Sequence, residues 1–229
     1  MTVNGLRKLT LLDFPGRVAC TLFLAGCNMR CPFCHNAPLV VDGSGVENIP
    51  EDELLAFLKK RSGILDGVCI TGGEPTLRRE LPELIRSIKA LGYAVKLDTN
   101  GTSPDMLSSL IGEGLIDYVA MDIKNSPEKY SLTAGCAADL DAVCRSAAIL
   151  MENKVNYEFR TTVVSGYHTA EDFRDIGEWL RGAEKYFLQN FVDSGALIDP
   201  ETRGCSESEM KEFLETVKQF IPAAALRGM

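Results

Sequence analysis

Six short apolar runs, each rich in β-branched residues, alternate along this chain with segments whose apolar residues fall three and four positions apart. The runs are Val18–Leu24, Gly67–Thr71, Ala94–Asp98, Asp117–Ile123, Tyr157–Val164 and Tyr186–Phe191, and their length and composition read as strands. Between them, Leu81, Leu84, Ile85 and Ile88 mark one helical face, Leu140, Val143, Ala147 and Leu150 a second, and Met210, Phe213, Leu214 and Val217 a third. Strands joined through helices by short connections run parallel, because each helix returns the chain to the same end of the sheet. The expected fold is therefore α/β, an open partial (β/α)6 barrel. No Pro/Gly/Ser-rich linker divides the chain, and 229 residues suit one α/β barrel, so residues 1–229 read as a single domain.

Start signals agree with this pattern: Pro50 before Glu51–Glu53, Ser103-Pro104-Asp105, and Thr169 followed by Glu171 and Asp172 sit where helix N-termini belong. The Ala-rich stretch Ala134–Ala148 reads as helix, Pro222–Ala225 as a fraying tail, and Asn36–Pro50 as a loop.

Composition matters here mainly for what it excludes. With 45% hydrophobic residues the chain carries enough apolar side chain for a sizeable core. Its 24 Lys+Arg against 32 Asp+Glu give a net charge of −8, which argues against nucleic acid as a partner, since little excess cation is present to displace phosphate counterions. No apolar stretch approaches the roughly 18 residues of a membrane helix. The opening MTVNGLRKLT lacks the apolar run of a secretory signal. The expected setting is cytoplasmic, with no membrane partner.

Eight cysteines are present, and Cys27, Cys31 and Cys34 crowd into AGCNMRCPFCHN directly after the first strand. In a cytosolic chain such a cluster points to metal or redox chemistry. Three close thiolates can hold three irons of a cubane and leave the fourth iron to another ligand. Cys31-Pro-Phe-Cys34-His35 also satisfies the c-type haem pattern, and Cys31 with Cys34 the thioredoxin-type pair, but neither needs Cys27. Zinc held by Cys27, Cys31, Cys34 and His35 stays open, although adjacent Cys34 and His35 side chains diverge. Cys20, Cys69 and Cys144 read as small core hydrophobes. Cys136 and Cys205 have no second cluster-like spacing around them.

Other unusual segments fall at the carboxyl ends of successive strands, where a parallel barrel gathers its reactive groups. Gly72-Gly73-Glu74-Pro75 offers two residues without Cβ, allowing backbone to approach a ligand, and a carboxylate suited to an ammonium; alone, it reads first as a tight strand-to-helix turn, and the cysteine loop beside it favours the ligand reading. Asp98 and Asp122 end neighbouring strands about 4.8 Å apart and could converge on a cation or an ammonium, or serve only as turn residues. Arg160 lies in an otherwise apolar strand and needs an anion, either a ligand or a structural carboxylate. His168 reads as a surface or turn residue.

Together, LLDFPG (Leu11–Gly16), AGCNMRCPFCHN, ITGGEPTL (Ile70–Leu77), KLDTNG (Lys96–Gly101), DYVAMDIK (Asp117–Lys124) and FRTTVVSGYH (Phe159–His168) resemble, nearly end to end, the glycyl-radical-enzyme activase branch of the radical S-adenosylmethionine (SAM) enzymes. Within it, they are most similar to the activating proteins of anaerobic ribonucleoside-triphosphate reductase. The resemblance implies a TIM-type partial barrel, a [4Fe-4S] cluster on Cys27, Cys31 and Cys34, and SAM bound through Phe33, His35, Gly72, Gly73, Glu74, Asp98, Thr99, Asp122, Lys124, Arg160 and Gln189. It further implies a monovalent cation near Asp98, Thr99, Asp122 and the Ala120 carbonyl. The activity implied is reductive cleavage of SAM to a 5′-deoxyadenosyl radical that places a glycyl radical on the partner reductase, with a flavodoxin or ferredoxin-type electron donor. Phe191 stands where pyruvate formate-lyase activases present a histidine near the adenosine. Activation of another glycyl radical enzyme, a small-molecule radical SAM reaction, and a non-enzymatic metal or electron-transfer module are the alternatives.

Overall fold

The computed structural model describes residues 1–41, 46–193, 195 and 197–228. Its main sheet has eight strands, and all six expected runs are among them within a residue or two of their predicted bounds. The six are β3 (Ala19–Leu24), β5 (Gly67–Gly72), β6 (Ala94–Thr99), β7 (Tyr118–Asp122), β8 (Asn156–Val163) and β9 (Tyr186–Asn190). They pair in parallel in that order. At one edge β2 (Gly5–Thr10) runs antiparallel to β3. At the other, β10 (Ala225–Arg227) adds a further parallel strand beside β9. A separate two-stranded ribbon joins β1 (Thr2–Val3) to β4 (Ile49–Pro50).

Helices α2 (Glu51–Lys60), α3 (Leu81–Lys89), α4 (Pro104–Gly112), α6 (Leu140–Met151), α7 (Ala170–Trp179) and α8 (Glu207–Lys218) return the chain between strands, with short α1 (Ala37–Val40) and α5 (Tyr130–Ala134) in the connections. The segment 36–50 thus carries α1 and β4 as well as loop, and positions 42–45 lie outside the described residues. Ala134–Ala148 is two helices rather than one. Gly135 breaks the run at φ +67, and a Cβ there would meet the Arg30 carbonyl oxygen at 2.1 Å, so the chain must cross another backbone at this point. Ser103 precedes α4 without a side-chain cap. Thr169 and Asp172 form a reciprocal capping box on α7, as do Ser206 and Glu209 on α8.

Alternation along each strand divides the sheet into two faces. Leu22, Val68, Ile70, Val95, Leu97, Val119 and Met121 pack in one apolar core with helix residues such as Leu54, Leu84, Ile85, Val143 and Phe173. The opposite parity, turned into the barrel, is largely polar: Thr21, Cys69, Lys96, Asp98, Glu158 and Arg160. At the amino end of the strands the Leu11–Gly16 segment closes this interior. Phe14 packs with Ala19 and Tyr118, and its ring lies 2.9 Å from where a Cβ of Gly67 would stand, so Gly67 admits the plug.

The carboxyl tail is not frayed. Arg227 reaches into the barrel and grips Glu158 with both guanidinium nitrogens, at 2.6 and 2.8 Å, while Tyr118 donates to the same carboxylate at 2.9 Å. Glu158 is 1% exposed, so removing its cation leaves a buried charge. Arg227→Met is expected to cost about 3–5 kcal/mol of unfolding free energy, read by urea denaturation, with Arg227→Lys recovering part of the loss.

Candidate active site

The carboxyl ends of β3, β5, β6, β7, β8 and β9 surround a cavity of about 250 Å³. It is lined by Cys27, Cys31, Phe33, Cys34, His35, Gly72, Gly73, Asp98, Thr99, Asp122, Lys124, Arg160 and Gln189, the whole expected set of cluster and SAM side chains except Glu74. Met29, Asn36, Val40, Thr71, Asn100 and Thr162 complete the wall. Of these, Thr71 and Thr162 had a usable signal, since each lies on the inward parity near a strand end; Asn100 lies in the DTNG segment.

The cysteine loop is tied down by backbone. Arg30 N–H donates to the Ala134 carbonyl at 2.9 Å, and Cys34 N–H to the Cys31 carbonyl at 3.0 Å. Asn36 donates to the Gly72 carbonyl at 2.8 Å, joining the loop to the end of β5. Burial pushes all three thiols above the usual range, Cys31 to about 11, while the Lys124 ammonium pulls each of them down. A donor set of three thiols under one shared cation suits an iron–sulfur cluster, with proton release on binding. Among the described residues no three His, Cys, Asp or Glu side chains converge closely enough for a single ion. His35 takes no place beside the thiols: its Nε2 meets the Val192 carbonyl at 2.8 Å and its ring stacks on Phe191 at 5.4 Å. Phe191 does not line the cavity and is separated from it by the His35 ring.

The two glycines owe their identity to protein backbone. A Cβ on Gly73 would stand 2.0 Å from the Gly26 carbonyl oxygen, and one on Gly72, at φ +126, 2.3 Å from the Leu24 carbonyl oxygen. Gly73 N–H and Glu74 N–H donate to those same two chain segments, to Leu24 and Gly26 at 2.8 Å each. The turn after β5 is thus laid directly against the start of the cysteine loop.

Glu74, expected to meet an ammonium, is a brace. It is 1% exposed and accepts from Thr76 Oγ1 (2.6 Å), Thr99 Oγ1 (2.8 Å), Asn100 N–H (2.6 Å) and Thr76 N–H (3.1 Å). Its four donors link the end of β5 to the end of β6. Burial raises its carboxyl, opposed by these bonds.

Asp98 and Asp122 are two register positions apart, since Asp98 lies opposite Ala120 and Asp122 opposite Arg160. They converge on Arg160, not on open space: its Nε donates to Asp122 at 3.0 Å and its Nη1 to Asp98 at 3.4 Å. Lys124 holds the other oxygen of Asp122 at 3.1 Å, and Lys96, 1% exposed in mid-strand, pairs with Asp98. Against burial, Arg160 and Lys124 hold Asp122 down to about 2. Three cations face two carboxylates here. Each carboxylate oxygen already accepts from a cation, and the surplus positive charge favours an anionic ligand group.

His168 is buried at 5% exposure rather than at the surface. Its Nδ1 accepts from Val164 N–H at 3.1 Å, so the neutral ring donates from Nε2 to the Lys124 carbonyl at 2.8 Å, and it stacks on Phe173. Burial lowers its pKa, with Asp172 opposing and Lys129 assisting. The folded state then binds fewer protons than the unfolded one, so stability falls as pH drops below the unfolded value of about 6.5 and the loss saturates below the folded pKa. His168→Gln should flatten that acidic limb in urea titrations between pH 7 and pH 5, approximate values spanning the histidine range.

The family model described as the Radical SAM superfamily matches residues 21–180. A provisionally named glycyl-radical enzyme activating enzyme of Methanocaldococcus jannaschii is 34% identical over 236 aligned positions, spanning 98% of this chain and 95% of its own. A provisionally named GTP 3′,8-cyclase of Pyrococcus horikoshii is 32% identical over 129 positions, 55% of this chain and 41% of that one. Among solved structures, a domain of the pyruvate-formate lyase-activating enzyme of Bacteroides vulgatus superposes with TM-score 0.58 at 18% identity, covering 71% of this chain and 99% of that one. SuiB of Streptococcus suis bound to S-adenosylmethionine gives 0.67 at 16% identity, covering 91% of this chain and 52% of that protein. At these identities the two structures speak to the fold alone.

Proposed function

This chain belongs to the radical SAM superfamily, an enzyme family that uses a [4Fe-4S] cluster and S-adenosylmethionine, and on that premise we propose that it is an activase placing a glycyl radical on an anaerobic ribonucleoside-triphosphate reductase. When bound, the cluster and SAM supply a reductively generated carbon radical able to take hydrogen from a substrate. Cys27, Cys31 and Cys34 hold the cluster. Lys124 and Arg160 attract the SAM carboxylate through the local excess of positive charge, and Gln189 and Thr162, opposite one another in the β8–β9 register, offer polar groups to the nucleoside. Glu74 keeps the ends of β5 and β6 together. Phe14 closes the far end of the barrel and limits water access from below.

The observation that carries the activase reading is extent. Similarity to the activating enzyme spans 98% of the chain, whereas similarity to the small-molecule cyclase spans 55% of it. A glycine in a partner loop is a suitable hydrogen source because it has no side chain to obstruct approach. The choice of the reductase over other glycyl radical enzymes rests on the motif resemblance of the sequence. The test is anaerobic mixing of reconstituted protein, reductant and SAM with each candidate partner, followed by electron paramagnetic resonance. A glycine-centred doublet with the reductase and none with formate-lyase is the expected result. The reverse pattern would reassign the target, and no doublet with any glycyl radical enzyme would remove the activase reading.

A further inference from the structure

Four carboxylate oxygens stand at the carboxyl ends of β6 and β7, and each meets a cation of the chain itself. Asp98 Oδ1 pairs with Lys96 and its Oδ2 with Arg160 at 3.4 Å; Asp122 Oδ1 pairs with Arg160 at 3.0 Å and its Oδ2 with Lys124 at 3.1 Å. Arg160 and Lys124 line the cavity, whereas Lys96 does not.

Lys96 is the member that needs explaining. It lies in mid-strand at 1% exposure, and taking an ammonium out of water into a barrel lumen is costly. Its register neighbours across the sheet are Cys69 and Tyr118, and burial pushes both of those groups up, so neither offers an anion at neutral pH. Asp13, which also acts on the Cys69 thiol, is held by Arg7 at 3.3 Å and Thr21 at 2.5 Å. Among the described residues Asp98 is the carboxylate that Lys96 meets. Residues two positions apart share a strand face, and four methylenes carry the ammonium from position 96 up to the strand end. An apolar pair of similar volume is often as stable as a buried ion pair, so what Lys96 adds is charge. With it, three cations face two carboxylates. Without it the count is two against two, and Asp98 Oδ1 falls to Arg160 or to an ion from solution.

We propose that Lys96 is a tethered counter-ion: its ammonium takes the part that the family resemblance gives to a dissolved monovalent metal ion at Asp98 and Asp122, so that the chain binds the SAM carboxylate without one. A metal ion fits this place poorly, because it would displace a tethered cation from each oxygen it took and add charge to a group that is already positive. Lys96 is a positioning residue, acting through Asp98 on Arg160. The inference rests on SAM as the ligand of the cavity and on no choice of partner protein.

The test measures SAM affinity of the anaerobic, cluster-loaded protein by titration calorimetry in potassium, sodium and tetraethylammonium chloride at one ionic strength, the last cation being too bulky to enter the lumen. Wild-type affinity should agree within about twofold across the three salts. Lys96→Ala removes the ammonium and opens space beside Asp98, so its affinity should fall about tenfold or more in tetraethylammonium and recover severalfold in potassium. Lys96→Met removes the same charge but fills the space, and should bind weakly in every salt. Melting temperatures followed by circular dichroism should repeat the pattern, potassium raising that of Lys96→Ala by more than that of wild type or Lys96→Met. A wild type that binds SAM about tenfold more weakly in tetraethylammonium than in potassium would overturn the inference without recourse to any variant, since the site would then hold a dissolved ion. Equal affinity in wild type and both variants would overturn it too, as would a loss in Lys96→Ala that potassium leaves unchanged, the mark of a merely structural pair. A wild type that binds no SAM in any salt would instead fault the ligand assignment, and the melting temperatures would still decide the part played by Lys96.

Discussion

Cys31→Ala is expected to leave a folded protein that retains no cluster and cleaves no SAM. The side chain is 8% exposed and packs at the edge of the main apolar core, so trimming one sulfur costs about 1 kcal/mol, well within the stability of an ordinary domain. Its chemical loss is total. Three thiols face the cavity, and a cubane held by two protein thiolates has lost an anchor and gained a second exposed iron. Iron and sulfide per chain and 5′-deoxyadenosine formed under reductant are the measurements, with circular dichroism to verify folding. Undiminished cleavage would refute assignment of the cluster to this loop.

Gly73→Ala separates two meanings of a glycine pair. If the missing Cβ serves only to let a ligand approach, the variant binds SAM poorly and keeps its cluster. The structure predicts otherwise, because the new methyl would stand 2.0 Å from the Gly26 carbonyl oxygen, a backbone atom adjacent to Cys27. Relief requires moving the start of the cysteine loop and breaking the bond from Glu74 N–H to the same carbonyl. A loss of about 1–3 kcal/mol in stability should accompany a fall in iron content. A variant with normal iron and stability but weakened SAM affinity would show that the contact is not decisive.

The helical return paths and six inner strands were legible because burial on the helix side demands regular apolar spacing, as at Leu81, Leu84, Ile85 and Ile88. What escaped detection obeys other rules. β2 reads GLRKLT, a charged edge strand with one side of its ladder free, and β10 is three residues whose place is fixed by the distant Glu158. The cavity residues were recognisable by position at strand ends, yet their partners were not. Nothing in one dimension says that Arg160 would meet both Asp98 and Asp122, that Glu74 would be surrounded by four donors, or that His168 would turn inward to the Lys124 carbonyl. Those outcomes depend on register between strands remote in sequence. Phe14 and Gly67 illustrate the same point, since a bulky plug and an absent side chain make sense only together.

The ionic interior of the barrel also bears on how such a scaffold changes over generations. Successive strand residues alternate between an oily jacket and a salted lumen, so drift in heat tolerance and drift in reactivity are recorded at different parities of the same strand. Among the described residues the lumen charges are shared: Lys96 and Arg160 both meet Asp98, and Arg160 and Lys124 both meet Asp122, so exchanging one member unbalances its neighbours, and novel chemistry there should accumulate as compensated doublets rather than isolated steps.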